Sequence, residues 1–145
     1  MSEGTGPRVL LVDDEEKFLD VLSQRLGTRG IDAVTATSGE EALVKIKNKN
    51  FDVIILDVMM PGIGGIEALK RIRQENPEVQ IIMLTGKSSI EKAVTAIKEG
   101  AIDFLEKPAD IVKLLEKIEN ARQKKTLLVM KNIEEKVKGL LKKRP

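Results

Sequence analysis

Short apolar runs and amphipathic segments alternate five times along the chain. Arg8–Val12 is a β-rich run, and the following Glu15–Thr28 carries Phe18, Leu19, Leu22 and Leu26 at helical spacing. Gly30 stops that helix as a left-handed cap does. Ile31–Ala36 predicts a second strand. Ser38, with Glu41 three residues on, forms a capping box that opens a helix over Glu40–Lys47. Phe51–Leu56 is continuously apolar, the mark of a strand covered on both faces. Pro61-Gly62 breaks the chain before a helix over Ile66–Gln74, and Val79–Leu84 is the fourth strand. Ser88 or Ser89 caps a helix running to Glu99, which Gly100 terminates. Ile102–Leu105 is a short fifth strand, and Pro108 permits a last helix from about Asp110.

Five βα units with short connections predict an α/β, doubly wound fold: a parallel sheet with helices on both faces. In such a sheet, functional groups gather at the carboxyl ends of the strands. The residues just past each strand therefore carry the most information.

Composition narrows the chemistry available there. The chain has no cysteine and no histidine, which excludes disulfides, thiol catalysis, a His-based triad and Cys- or His-ligated metal. What remains is carboxylates, Lys, Ser and Thr, with a hard oxygen-liganded cation as the metal they suit. The N-terminus lacks the basic-then-apolar pattern of a signal peptide, and no apolar run is long enough to span a bilayer. A soluble, cytoplasmic protein without a membrane partner is expected. The net charge of +2 is unevenly placed. Arg122–Arg144 is rich in Lys and Arg against only Glu134 and Glu135, leaving the rest of the chain net acidic.

Asp13 and Asp14 stand past the first strand, Asp57 ends the third, Thr85-Gly86 follows the fourth and Lys107-Pro108 the fifth. Each has an ordinary alternative. An Asp pair after a strand is commonly a turn and helix cap, a Thr a strand end, and a Lys before Pro a solvated loop residue. An X-Pro bond can be cis and hold such a lysine inward. Asp57 is harder to dismiss, since charge beside a buried strand is costly without a partner. The conjunction decides: three carboxylates, a hydroxyl and an ammonium meet on one rim. Crowded carboxylates hold a proton unless a cation sits among them, and Mg²⁺ suits a site with few carboxylates and room for phosphate oxygens.

The runs Val9-Leu-Leu-Val-Asp13-Asp14-Glu15, Val53-Ile-Ile-Leu-Asp57-Val-Met-Met-Pro61-Gly62, Met83-Leu-Thr85-Gly86 and Asp103-Phe104-Leu105-Glu106-Lys107-Pro108 resemble the receiver domains of two-component response regulators. The resemblance covers about Arg8–Ala121, and Thr85–Asp110 looks most like receivers of nitrogen-regulator-type activators. It implies a flavodoxin-like sheet of order 2-1-3-4-5. Asp57 would be the nucleophile that takes a phosphoryl group from a histidine kinase or phosphotransfer protein. Asp14 would bind Mg²⁺ directly and Asp13 mainly through water, with the backbone carbonyl of Met59 a further ligand. Lys107 and Thr85 would hold phosphoryl oxygens. Thr85 and Phe104 would form the switch that alters the fourth helix, fifth strand and last helix for a downstream protein target, although plain core packing explains Phe104 equally well. Met59 and Lys87, two residues past Asp57 and Thr85, would tune the rate; an apolar Met offers nothing to orient a hydrolytic water, so slow loss of the phosphoryl group is expected. Such a chain is a switch catalysing only its own phosphoryl transfer and slow autodephosphorylation, not an enzyme with a separate substrate.

Rival motifs fail. Gly86-Lys87-Ser88 lacks the earlier glycine of a phosphate loop, since Ile81 stands there; Gly62-Ile-Gly64-Gly65 breaks the dinucleotide pattern at Glu67; and a D-x-D phosphohydrolase needs Asp where Met59 stands.

The predicted organisation is a leader over residues 1–7, a receiver over 8–121 and a basic helical extension over 122–145. The extension is too short for a helix-turn-helix domain with its own core. Its seam of Met130, Ile133, Val137 and Leu140 is out of phase with Ile111, Leu114, Ile118 and Ala121, which favours a separate sixth helix over one long one. A stand-alone receiver working through protein contacts is expected; a homodimer or a receiver cut from a longer regulator is also compatible with the sequence. The alternative is a small DNA-associated transcriptional regulator anchored by the basic tail, disfavoured because no base-reading motif is present.

Overall fold

The computed structural model describes residues 6–142. Its elements are β1 (Val9–Val12), α1 (Glu16–Gly27), β2 (Ala33–Ala36), α2 (Gly39–Asn48), β3 (Val53–Asp57), α3 (Gly64–Glu75), β4 (Gln80–Thr85), a 3₁₀ turn (Lys87–Ser89), α4 (Ile90–Lys98), β5 (Asp103–Glu106) and α5 (Ile111–Lys142). The five strands form one parallel sheet in the order β2-β1-β3-β4-β5.

Strand alternation divides the core in two. Leu10, Ile54, Leu56, Ile81 and Met83 face α2, α3 and α4, meeting Ala42, Leu69, Ile72, Ala93 and Ala96. Val9, Leu11, Val53, Ile55, Ile82 and Leu84 face α1 and α5, meeting Leu19, Leu22, Leu26, Leu114, Ile118 and Ala121. Because both faces are covered, the central strands are apolar over Val9–Val12, Val53–Leu56 and Ile81–Leu84, with polar residues only at their ends. Each fully buried Leu or Ile contributes about 2 kcal/mol, enough to fix which face each helix covers.

The helix ends follow local chemistry. Ser38 accepts the Glu41 N–H at 3.0 Å, but the returning Glu41 carboxylate takes the Thr37 N–H at 2.6 Å, one residue earlier than an ideal capping box. Gly30 and Gly100 follow α1 and α4 with φ of +82° and +117°, a conformation that L side chains rarely adopt. Asp110 caps α5 by accepting from the Val112 and Lys113 N–H groups.

The expected break between a fifth and a sixth helix is absent: α5 runs unbroken to Lys142. The apolar stripe does end at Ala121, yet polar anchors take over from it. Lys125 Nζ pairs with Asp52 Oδ1 at 2.9 Å and donates to the Phe51 carbonyl, and Asn132 donates to Glu78 Oε2 at 2.9 Å. With no Pro or Gly before Gly139, nothing interrupts the backbone ladder. The second seam, Met130, Ile133, Val137 and Leu140, is exposed. The leader residues 1–5 and the basic Lys143 and Arg144 lie outside the described residues.

Candidate functional site

The carboxyl ends of β1, β3, β4 and β5 share one rim, and the residues singled out above meet there. Asp13 is fully buried, and its N–H bonds the Ala36 carbonyl of neighbouring β2. Asp14 beside it is exposed. Asp57, the last residue of β3, is only 5 % exposed. Carboxylate oxygens of these three residues lie within 4.8 Å of one another.

Lys107 is the counter-charge. It leaves β5 through a cis peptide to Pro108, and its Nζ stands 2.6 Å from Asp13 Oδ2, 3.0 Å from Glu15 Oε1 and 3.6 Å from Asp57 Oδ2. The Phe18 ring lies beneath it, its centroid 4.7 Å from Nζ. Asp13 Oδ1 accepts the Glu15 N–H, and Asp57 Oδ1 accepts the Met59 N–H. Asp13 Oδ2 is buried, and the Lys107 ammonium at 2.6 Å is the partner it meets there.

These surroundings set the acidities. Burial, then the neighbouring Asp13 charge, pushes the Asp57 carboxyl up to about 6, against the pull of Lys107 and the Met59 N–H. Burial likewise raises Asp13 despite its bond to Lys107. Burial alone would lower Lys107, but the Asp13 and Glu15 carboxylates outweigh it and hold its charge firmly. One ammonium among the carboxylates leaves the rim short of positive charge. Three carboxylates converging within 4.8 Å and an all-oxygen donor set fit a hard divalent cation.

Thr85 ends β4, fully buried, its hydroxyl bonded to Ser89 Oγ at 2.7 Å and to the Gly86 carbonyl at 3.0 Å. Phe104 is half-buried and packs against the α2–α4 side of the core. Met59 is 52 % exposed at the mouth, with Lys92 Nζ from α4 3.2 Å from its sulfur. Lys87 is exposed on the 3₁₀ turn and joins none of these contacts.

Sequence reasoning passed over three participants. Glu15 was legible as a third acidic residue after Asp13-Asp14, but its bond to Lys107 spans 92 residues of chain. Ser88 or Ser89 was expected to cap α4; Ser89, at the cap position, makes no cap bond, and its side chain turns to Thr85 instead. Gly65 opens α3 so close to the Asp57–Val58 backbone that a Cβ would lie 2.2 Å from the Asp57 carbonyl oxygen. No local pattern marks that approach.

Residues 9–119 match the response regulator receiver domain family. The chain belongs to it. This receiver is 40 % identical over 113 residues to the transcriptional regulatory protein ZraR of Salmonella typhimurium, covering 78 % of this chain and 26 % of ZraR. It thus spans about a quarter of that relative's length. The crystal structure of the receiver domain of NtrX from Brucella abortus matches with a TM-score of 0.76 at 33 % identity, over 79 % of this chain and 98 % of that one. A structure from Rhodopirellula baltica, described as an adenylate cyclase, matches with a TM-score of 0.82 at 33 % identity. That match takes in 96 % of this receiver and 99 % of that chain. The sheet order and the two-component family expected from the sequence both hold. Among the described residues, no helix is long and apolar enough to cross a membrane.

Proposed function

We propose that this receiver is a Mg²⁺-dependent phosphoryl acceptor and that Asp57 takes the phosphoryl group. The observation that carries the reading is the meeting of Asp13, Asp14 and Asp57 oxygens within 4.8 Å, with Lys107 as their only close ammonium among the described residues. An Asp57 carboxylate oxygen attacks the phosphorus of a phosphohistidine on a kinase or phosphotransfer protein. The P–O bond forms as the P–N bond breaks, and the imidazole leaves with the bonding electrons. Asp13, Asp14 and Asp57, with the Met59 carbonyl, would hold Mg²⁺, which supplies charge neutralisation for the transferring group. Lys107 binds one phosphoryl oxygen and Thr85, once its hydroxyl turns, another. Met59 places no polar group beside Asp57 to orient water, which supports slow hydrolysis of the acyl phosphate.

Output is assigned to the α4–β5–α5 side, where Ile90, Val94 and Ile97 lie at i, i+4 and i+7 of α4, and Val112 on α5 is also exposed. Phe104, half-buried on β5 and packed against the core, would respond when Thr85 moves. A downstream protein is the partner this apolar face suits. DNA association through the lysines of distal α5 is the second reading; it draws on the relative's name as a transcriptional regulator and would appear as salt-dependent DNA affinity.

Mass spectrometry after acetyl phosphate and Mg²⁺ treatment tests the central claim. One added phosphate on the wild type and none on Asp57→Asn is expected. A wild type that takes up no phosphate overturns it.

A further inference from the structure

Ser89 stands at the N-terminal boundary of α4, where a serine ordinarily caps the helix, and it makes no such cap. Its hydroxyl is instead spent inside the β4–α4 junction. Ser89 is 4 % exposed, and its Oγ lies 2.7 Å from Thr85 Oγ1, accepts the Gly86 N–H at 3.2 Å and reaches the Gly86 carbonyl at 3.2 Å. Thr85 Oγ1 lies 3.0 Å from that same carbonyl.

The proton count closes this group on itself. Each hydroxyl has one proton to give. One of them serves the Gly86 carbonyl and the other bridges Thr85 to Ser89, whichever way the pair is oriented. The Thr85 proton is therefore committed within this group, to Ser89 or to the Gly86 carbonyl. For Thr85 to donate to a group on Asp57 its hydroxyl must leave this group, and Ser89 then loses its buried partner one residue before α4 begins.

We propose that Ser89 is a positioning residue that holds the Thr85 hydroxyl at the head of α4 in the unphosphorylated protein, so that departure of Thr85 is what frees the β4–α4 junction. This rests on the reading of Asp57 as phosphoryl acceptor and Thr85 as phosphoryl ligand. It adds to that reading a named hydrogen bond through which the site and α4 are coupled. Without the Ser89 hydroxyl, Thr85 turns toward Asp57 more readily, and the junction samples its released arrangement before any phosphate arrives.

The experiment combines the rate of phosphate uptake from acetyl phosphate at fixed Mg²⁺ with amide NMR spectra of the whole chain. Ser89→Ala is expected to take up phosphate roughly fivefold faster than the wild type, the factor corresponding to one ordinary hydrogen bond. Unphosphorylated Ser89→Ala should also show the Gly86 and Ile90 resonances displaced toward their phosphorylated wild-type positions. In a Thr85→Ala background, Ser89→Ala should change the rate no further, because its effect passes through the Thr85 hydroxyl. Ser89→Cys, which fills the site with a slightly larger atom and weakens the hydrogen bond, should move both readouts the same way and serves if Ser89→Ala does not fold. Wild-type rates and resonances in both Ser89 variants overturn the proposal, as does a Ser89 effect that persists in Thr85→Ala. A wild type that takes up no phosphate overturns the underlying reading and the proposal together; uptake by the wild type with unaltered Ser89 variants overturns the proposal alone.

Discussion

Lys107 stands closer to Asp13 than to Asp57, at 2.6 Å against 3.6 Å. In this structure its charge therefore serves a fully buried carboxylate first and the proposed acceptor second. Glu15, at 3.0 Å, holds the ammonium from the solvent side. On the proposed reading, a divalent cation and the lysine would compete for the same carboxylates. Lys107→Met should bind Mg²⁺ more tightly, by about 1 kcal/mol or several-fold in Kd, since a like charge is removed from the rim. The same variant should accept phosphate far more slowly, because the phosphoryl oxygens lose their ammonium. Calorimetric Mg²⁺ titration and acetyl phosphate uptake check the two opposite signs; weaker Mg²⁺ binding would count against the competition.

The acidity of Asp57 links stability to pH. Its carboxyl titrates near 6 in the folded receiver against an ordinary value of 3.8, so between these the folded state binds more protons than the unfolded one. This group's contribution to stability is thus full at low pH and falls as pH rises through about 6. Asp57→Asn removes that dependence. At pH 7.5 without metal it should be more stable than the wild type by on the order of 1–2 kcal/mol, a rise of roughly 3–8 °C in Tm. Added Mg²⁺ should narrow the gap. Thermal melts from pH 4.5 to 8 measure both effects.

The same titration affects acceptance. Only the carboxylate form of Asp57 is nucleophilic, so phosphate uptake at low Mg²⁺ should fall as pH drops below about 6. Saturating Mg²⁺, favouring the ionised form, should move the midpoint to lower pH. A midpoint unmoved by metal would separate the cation from Asp57.

Gly65→Ala tests the packing that shapes the loop after Asp57. The new methyl would meet the Asp57 carbonyl oxygen at 2.2 Å and Val58 Cα at 2.7 Å, backbone atoms that cannot swing aside. A loss of about 1–3 kcal/mol is expected, together with weaker Mg²⁺ binding as the loop after β3 shifts. Wild-type stability and Mg²⁺ affinity in this variant would show that the loop accommodates the methyl freely.

The Asp52–Lys125 pair carries α5 past its last buried residue. Asp52 is held below the ordinary carboxylate range: burial opposes this, but the Arg8 N–H and Lys125 outweigh it. Lys125→Met should cost about 1 kcal/mol or less, since the pair is partly solvated. Its main effect should be local. Amides from about 126 to 138 should exchange faster with solvent while the sheet stays protected.

The sequence by itself determined the alternation of strands and helices, because a strand covered on both faces must be apolar throughout and an amphipathic helix must repeat every three to four residues. It also determined which residues end the strands, and so that Asp13, Asp14, Asp57, Thr85 and Lys107 share a rim. Tertiary structure alone decided what those groups do to one another. Whether Lys107 faces Asp13 or Asp57 first depends on distances across three strands, and whether Ser89 caps a helix or holds Thr85 depends on which partner its hydroxyl reaches. The tail makes the same point. Its out-of-phase seam favoured a break, yet Lys125 on Asp52 and Asn132 on Glu78, partners more than fifty residues away along the chain, keep α5 whole. A periodic pattern registers apolar burial but not a polar contact closed by distant residues, and such contacts decide the remainder of this receiver.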